Sequence, residues 1–192
     1  NYFDMPLQHI SQNMLKIMKR GKGAEKLIEL MNYMKSKPNS FVRTTFIAGH
    51  PGESEDDFEE LCSFVEDFGF DRGNVFSYSD EEGTSAETRD DKIEQELIDE
   101  RAEILGDIIS QTTIKSLEND IGKSFEVYID GESQEHEYLL SARKTIWAPQ
   151  IDGEIYINDN EDNIPIVFGE IYEVEATQLA GDKLLAKIIR KV

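Results

Sequence analysis

Phe41-Val42-Arg43-Thr44-Thr45-Phe46-Ile47-Ala48-Gly49-His50-Pro51-Gly52-Glu53-Ser54 is the stretch on which the reading of this chain turns. Its first eight residues are rich in β-branched and aromatic side chains and stop at Gly49-His50-Pro51-Gly52, the profile of a buried strand feeding a turn. Ser54 followed by Asp57 has the spacing of a capping box with a short acid, and Phe58, Leu61, Cys62, Val65 and Phe68 then recur on one helical face. Strand, tight turn and capped helix follow one another without a linker.

The same alternation extends outward. Upstream, Ser11 can cap a short helix reaching Arg20, and after the Gly21/Gly23 break Leu27, Ile28, Leu30, Met31 and Met34 carry a second helix to Lys37-Pro38. Downstream, Val75 to Tyr78 reads as the next strand. A polar loop, Ser79 to Thr88, then precedes a long helix predicted from about Asp91 to Glu118, with Ile93, Leu97, Ile98, Ile104, Leu105, Ile108 and Ile109 on its buried side. Strands alternating with helices predict βαβ units and parallel pairing. After Asn119-Asp120-Ile121-Gly122 the period becomes two: Phe125, Val127 and Ile129 alternate with polar residues, and similar stretches follow at Glu154 to Asn158, Glu170 to Thr177 and Leu184 to Ile189. About five short strands in this span predict a small closed antiparallel barrel with Phe125, Val127, Ile129, Ile155 and Ile157 inside. The expected organisation is therefore α/β then all-β, with a boundary near Gly122 separating residues 1–122 from residues 123–192.

Composition narrows the function classes. The 192 residues carry 40 Asp+Glu against 20 Lys+Arg, a net charge of −20, which disfavours a phosphate backbone and favours a basic partner. The acidity is uneven: residues 53–103 hold 20 acids and 4 bases, whereas residues 1–52 hold 3 acids and 8 bases. One cysteine, Cys62, excludes a disulfide framework and any iron-sulfur site built from this chain alone, and points to a reducing, cytosolic setting. No apolar run approaches the ~20 residues of a membrane span, and the start carries neither a signal-type stretch nor an initiator Met, so the chain reads as part of something longer.

In a βα barrel, functional groups gather at the C-terminal ends of strands. Three segments lie there: Tyr2 to Ser11, Thr44 to Glu53 and Phe76 to Thr84. Asp4, Gln8 and His9 can contact a ligand or hydrogen-bond loop backbone. Gly49 and Gly52 permit close approach of a ligand or merely shape the turn. Glu81 and Glu82 read as an acid/base pair or as solvated surface. His50 and His136 stand alone, without partners at metal spacing, and read as loop or surface residues. Cys62 and the methionines Met14, Met18, Met31 and Met34 read as packing residues.

Taken together and in order, Tyr2-Phe3-Asp4-Met5-Pro6-Leu7-Gln8-His9-Ile10-Ser11, Arg43 to Glu53 and Phe76 to Ala86 resemble the radical S-adenosylmethionine methylthiotransferases. Within them they resemble the RimO type, which modifies an aspartate of the twelfth protein of the small ribosomal subunit. The trailing barrel is similar to the family's TRAM domain, with Ala148-Pro149-Gln150-Ile151-Asp152-Gly153 in place of Ala-Pro-Glu-Ile-Asp-Gly. Relatives that modify tRNA carry a Pro-Val-Gln-Ser-Gly segment where this chain has Pro6-Leu7-Gln8-His9-Ile10, and Arg-Pro-Gly-Thr where it has Glu81-Glu82-Gly83-Thr84. Both departures favour the ribosomal-protein enzyme, since Glu in place of Arg repels phosphate and attracts a basic protein.

The resemblance implies the C-terminal part of a partial TIM-like βα barrel followed by an OB-like TRAM barrel that recognises substrate. It implies an S-adenosylmethionine pocket lined by Gln8, Thr45, Ile47, Gly49 and Tyr78, and a substrate surface of Glu81, Glu82, Glu126, Asp130, Glu132, Glu135 and Glu137 facing a basic ribosomal protein. The family holds one 4Fe-4S cluster on a Cys-x3-Cys-x2-Cys motif and a second on three further cysteines; neither set occurs in this chain, which by itself is expected to be inactive and free of iron. His50 stands where the family carries an aromatic residue, and Ser141 to Trp147 departs from its Gly-Arg-Ser-like stretch. The alternatives are a tRNA methylthiotransferase of the same family, a stand-alone protein or RNA recognition module, and a barrel lyase without radical chemistry. Upstream cysteines in two triplets would single out the radical enzyme.

Overall fold

The structure, a computed structural model, describes residues 1–21, 23–160 and 162–192. The chain divides into two compact units, Asn1–Thr113 and Ile114–Val192.

In the first unit three parallel strands, β1 (Tyr2–Asp4), β2 (Phe41–Ala48) and β3 (Arg72–Ser77), lie in that order. Strand β2 is central, pairing Tyr2 with Phe41 on one side and Arg43 with Arg72 on the other. Helices α1 (Gln12–Ile17), α2 (Ala24–Lys35), α3 (Glu55–Phe68) and α4 (Gln95–Glu118) connect and follow the strands. The predicted caps form: Ser11 accepts the Met14 N–H, and Ser54 and Asp57 exchange the two bonds of a capping box at 3.2 and 3.0 Å. Even residues of β2 face an apolar core of Val42, Phe46, Phe58, Leu61, Val65, Phe70, Leu105 and Ile109. Thr44 joins that buried face because its hydroxyl donates to the Met5 carbonyl at 3.0 Å.

Helix α4 differs from its sequence reading in two respects. It starts at Gln95 rather than near Asp91, because the Asp91 carbonyl accepts the Gly52 N–H and its carboxylate takes Arg89. Its buried face is Ile98, Arg101, Leu105, Ile109 and Thr112, while Leu97 and Ile104 are exposed. The charged Arg101 holds an inward position that an apolar pattern does not reveal. Strand β3 also begins earlier than Val75, at the polar Arg72-Gly73-Asn74, since β2 supplies its ladder.

The second unit is a closed barrel of β4 (Ser124–Glu132), β5 (Leu140–Lys144), β6 (Ile155–Asp159), β7 (Ile171–Ala180) and β8 (Lys183–Lys191), in the order β4-β5-β6-β8-β7 with β4 also paired to β7. All pairings are antiparallel except β6 with β8. A closed ring of five strands cannot alternate direction throughout, so one parallel seam is obligatory. The order is that of a five-stranded Greek-key barrel of OB type. Val127, Ile129, Ile155, Ile157, Tyr172, Val174 and Leu184 fill the interior. Phe125 is only half-buried, with the Lys144 ammonium 4.5 Å from its ring centroid. No helix among the described residues is long and apolar enough to cross a membrane.

Candidate functional site

The C-terminal ends of β1, β2 and β3 surround a cavity of about 590 Å³. The alternation of β2 decides who lines it: Thr45 and Ile47 face the cavity, whereas Phe46 and Ala48 face the core. Gln8 enters from the β1 side. Its backbone is left-handed, φ 69°, and is pinned by its N–H donating to the Thr45 carbonyl at 2.8 Å and its carbonyl accepting the Ile47 N–H at 2.9 Å. Its side-chain Oε1 is buried on the cavity wall with no hydrogen-bond partner among the described residues. A strained residue carrying an unanswered buried acceptor marks a place where a ligand donor fits.

Tyr78 closes the cavity from the β3 side, its N–H donating to the Ala48 carbonyl at 2.9 Å. Its hydroxyl donates to Asp80 at 2.8 Å, and Asp80 pairs with Lys92 at 2.5 Å. Burial, followed by the Asp80 carboxylate, pushes the Tyr78 phenol up to about 12. His50, read from sequence as a loop or surface residue, is buried and lines the same cavity, edge-on to Tyr78 at 5.0 Å. Its Nδ1 lies 2.9 Å from the Pro51 carbonyl, and burial lowers its pKa, so the ring is neutral at pH 7. Glu81 lines the cavity and Glu82, also exposed, does not.

Gly49 does not line the cavity. Its φ is 80°, and a Cβ there would lie 2.6 Å from the Ile98 side chain, so glycine is required by the turn and by the approach of α4. Its N–H donates to Glu53 Oε2 at 3.0 Å. Glu53 anchors a buried cluster that sequence reading missed. Arg101 Nη1 donates to the same oxygen at 2.8 Å, and His9 Nε2 lies 3.2 Å from Oε1. His9 Nδ1 accepts the N–H groups of Ile10 and Ser11, so Nε2 carries the proton. His9 is thus fully buried, its Nδ1 taken up by loop backbone and its Nε2 facing Glu53. The one available signal was Arg101 at a core spacing of α4.

On the barrel, Asp130, Glu132 and Glu135 border a groove of about 710 Å³ with Arg143, Ile151 and Lys183. Asp130 pairs with Arg143 at 3.1 Å, and Glu135 accepts from Lys183 at 2.5 Å and from the Tyr156 hydroxyl at 2.7 Å. Glu126, Glu132 and Glu137 are exposed and form no ion pair among the described residues.

Whether these residues fit the groups the family implies is a question of donor chemistry. A 4Fe-4S cluster takes three or four thiolates. Cys62 packs half-buried against the core, and burial, then Glu53 and Glu55, push its thiol up to about 11. One protonated thiol does not fit a cluster, and among the described residues no group of three His, Cys, Asp or Glu converges on a metal position. The strand-end cavity, with its unpartnered Gln8 acceptor, does fit a ligand of nucleoside size.

Residues 1–65 match the radical SAM superfamily and residues 121–189 match the TRAM domain. The chain is 78% identical over 192 residues to the ribosomal protein uS12 methylthiotransferase RimO of Aliarcobacter butzleri (strain RM4018), covering 99% of this chain. It is 57% identical over 190 residues to that of Sulfurovum sp. (strain NBC37-1), covering 99% of this chain, and 53% identical over 192 residues to that of Campylobacter jejuni (strain RM1221), covering 100%. The chain spans 43% of the length of each of these relatives. With a parallel strand-helix unit, a Greek-key barrel and these matches across its whole length, the chain belongs to the radical S-adenosylmethionine methylthiotransferase family, RimO type, of which it carries part of the radical SAM barrel and the TRAM domain.

Proposed function

We propose that the protein carrying this chain installs a methylthio group on an aspartate of ribosomal protein uS12, and that this chain contributes the S-adenosylmethionine cavity and the substrate-recognition barrel. The observation that carries the reading is the single cavity into which the three family-like segments converge, Gln8 from the first, Thr45 and Ile47 from the second and Tyr78 from the third. Gln8 Oε1 and Thr45 would meet polar groups of the nucleoside, and Ile47 would pack on its base. Gly49 serves one step removed, by letting α4 and Glu53 hold the turn. When bound, S-adenosylmethionine supplies the one-electron C–H activation of the family, but the cluster that reduces it has no ligand set in this chain. Glu81 at the cavity and the exposed Glu126, Glu132 and Glu137 of the barrel favour a basic protein over nucleic acid.

Incubating the intact, cluster-loaded protein with S-adenosylmethionine and uS12 tests the reading by mass spectrometry. Gain of one methylthio group on an aspartate of uS12 is expected. Modification of tRNA in its place would move the protein to the other branch of the family, and modification of neither would refute the assignment.

A further inference from the structure

His50 is only 9% exposed and lines the strand-end cavity. Its Nδ1 lies 2.9 Å from the Pro51 carbonyl, an oxygen that can only accept, so in the neutral ring Nδ1 carries the proton and Nε2 is left as an acceptor. No described residue donates to Nε2. The ring is held by the Pro51 bond and by its edge-on contact with Tyr78, 5.0 Å between centroids. Gln8 Oε1, on the same cavity, is a second buried acceptor that no described residue answers. The two do not make a metal site, since no group of three His, Cys, Asp or Glu converges among the described residues.

A largely buried acceptor without a donor costs free energy until a ligand supplies one. The cavity is of nucleoside size, and a nucleoside brings donors of the needed kind in its ribose hydroxyls and in the exocyclic amino group of its base. We propose that His50 Nε2 is a specificity-determining acceptor of the strand-end cavity, taking one hydrogen bond from an O–H or N–H donor of the bound nucleoside. The inference rests on the function proposed above, which puts S-adenosylmethionine in this cavity. His50 stands where the family carries an aromatic residue, so this bond belongs to a departure of the chain from the family pattern and not to the shared frame.

Equilibrium dialysis with the intact, cluster-loaded protein tests this with four ligands: S-adenosylmethionine, its 2′-deoxy and 3′-deoxy forms, and the form whose adenine amino group is replaced by hydrogen. In the wild type, deleting the group that meets His50 should weaken binding about 3- to 10-fold, the worth of one neutral hydrogen bond. His50→Phe keeps a flat ring against Tyr78 and removes both nitrogens. In that variant S-adenosylmethionine should weaken by the same factor, and the same deletion should then cost less than about twofold more. The deletion whose penalty vanishes names the donor, a ribose hydroxyl or the adenine amino group, and either result supports the proposal. If Phe crowds the cavity, the smaller His50→Leu, equally without an acceptor, gives the same reading. A variant that keeps every wild-type penalty overturns the proposal even where it binds all four ligands more weakly, because a ring that only packs on Tyr78 affects them alike. A wild type indifferent to all three deletions overturns it too, as does loss of all four ligands in both variants. These results leave the proposed function standing, whereas a wild-type protein that binds none of the four overturns that function and this inference together.

Discussion

Glu53 and Asp57 stand four residues apart and show how one buried carboxylate differs from another. Glu53 is compensated by Arg101, itself 4% exposed, and by the Gly49 N–H. Glu53→Gln keeps the shape but leaves Arg101 with the exposed Glu55 as its carboxylate partner among the described residues, and removing one partner of a buried pair costs about 3–5 kcal/mol. Urea unfolding followed by far-UV circular dichroism should register that loss, and Glu53→Gln combined with Arg101→Met should lose less than the two single changes together; a fully additive pair would mean that the two side chains do not act as a unit. Asp57 is satisfied by hydrogen bonds rather than by a cation. Burial alone would raise its pKa, but donors from Ser11, Ser54 and Asn13 outweigh it and hold the carboxyl at about 2. Because the folded value lies below the unfolded one, near 4, the stabilisation of about 2 kcal/mol is present in full above pH ~4 and is lost as the pH falls toward 2. Asp57→Asn should flatten that part of the acid-unfolding curve, and an unchanged curve would assign acid sensitivity to other carboxylates.

At the scale of elements, the turn after β2 meets α4 at Gly49. Gly49→Ala places a methyl 2.6 Å from Ile98 at a φ of 80°, so a loss of about 2–4 kcal/mol is expected from overpacking and left-handed strain combined. Adding Ile98→Ala should return the overpacking share and not the strain, as read by thermal unfolding; no recovery at all would mean that strain alone sets the cost. The same junction shows what was legible in the sequence. Strand β2 was readable end to end, because six of its eight residues are β-branched or aromatic and the run is stopped by Gly49 and Pro51. The start of α4 was not, since the Asp91 carbonyl is claimed by Gly52, a partner far away in sequence. Strand β5 was not, since only Ala142 of Leu140 to Lys144 is buried, which leaves no alternating apolar signal. The candidate site divides in the same way. Gln8, Thr45, Ile47 and Tyr78 sit in recognisable segments; His50 sits in one too but carried no ligand signal, and Arg20 joins the cavity only through the path of the folded chain.

At the scale of the whole molecule, charge argues for the kind of partner. A barrel that binds tRNA must offer cations to phosphate, yet residues 123–192 hold 14 acids and 7 bases, and Arg143, Lys183, Lys187, Arg190 and Lys191 are already paired with Asp130, Glu135, Glu175, Glu173 and Glu170. The free charge that remains on this unit is negative, at Glu126, Glu132 and Glu137 among others. Binding of a Lys/Arg-rich uS12 peptide should therefore weaken steeply between about 50 and 300 mM salt, as exposed charges become screened. Reversing Glu126, Glu132 and Glu137 to Lys should weaken it by roughly tenfold or more, while reversing Asp130, which would release Arg143 as a second cation, should act on both attraction and fold. The three-site variant should melt as the wild type does, because none of those carboxylates forms an ion pair with any described residue. Fluorescence anisotropy with labelled peptide and labelled tRNA reads both partners in one titration. Peptide affinity indifferent to salt and to the reversals, or tRNA bound more tightly than peptide, would contradict the acidic-surface account, since an acidic face can gain phosphate only after its own charge has been removed.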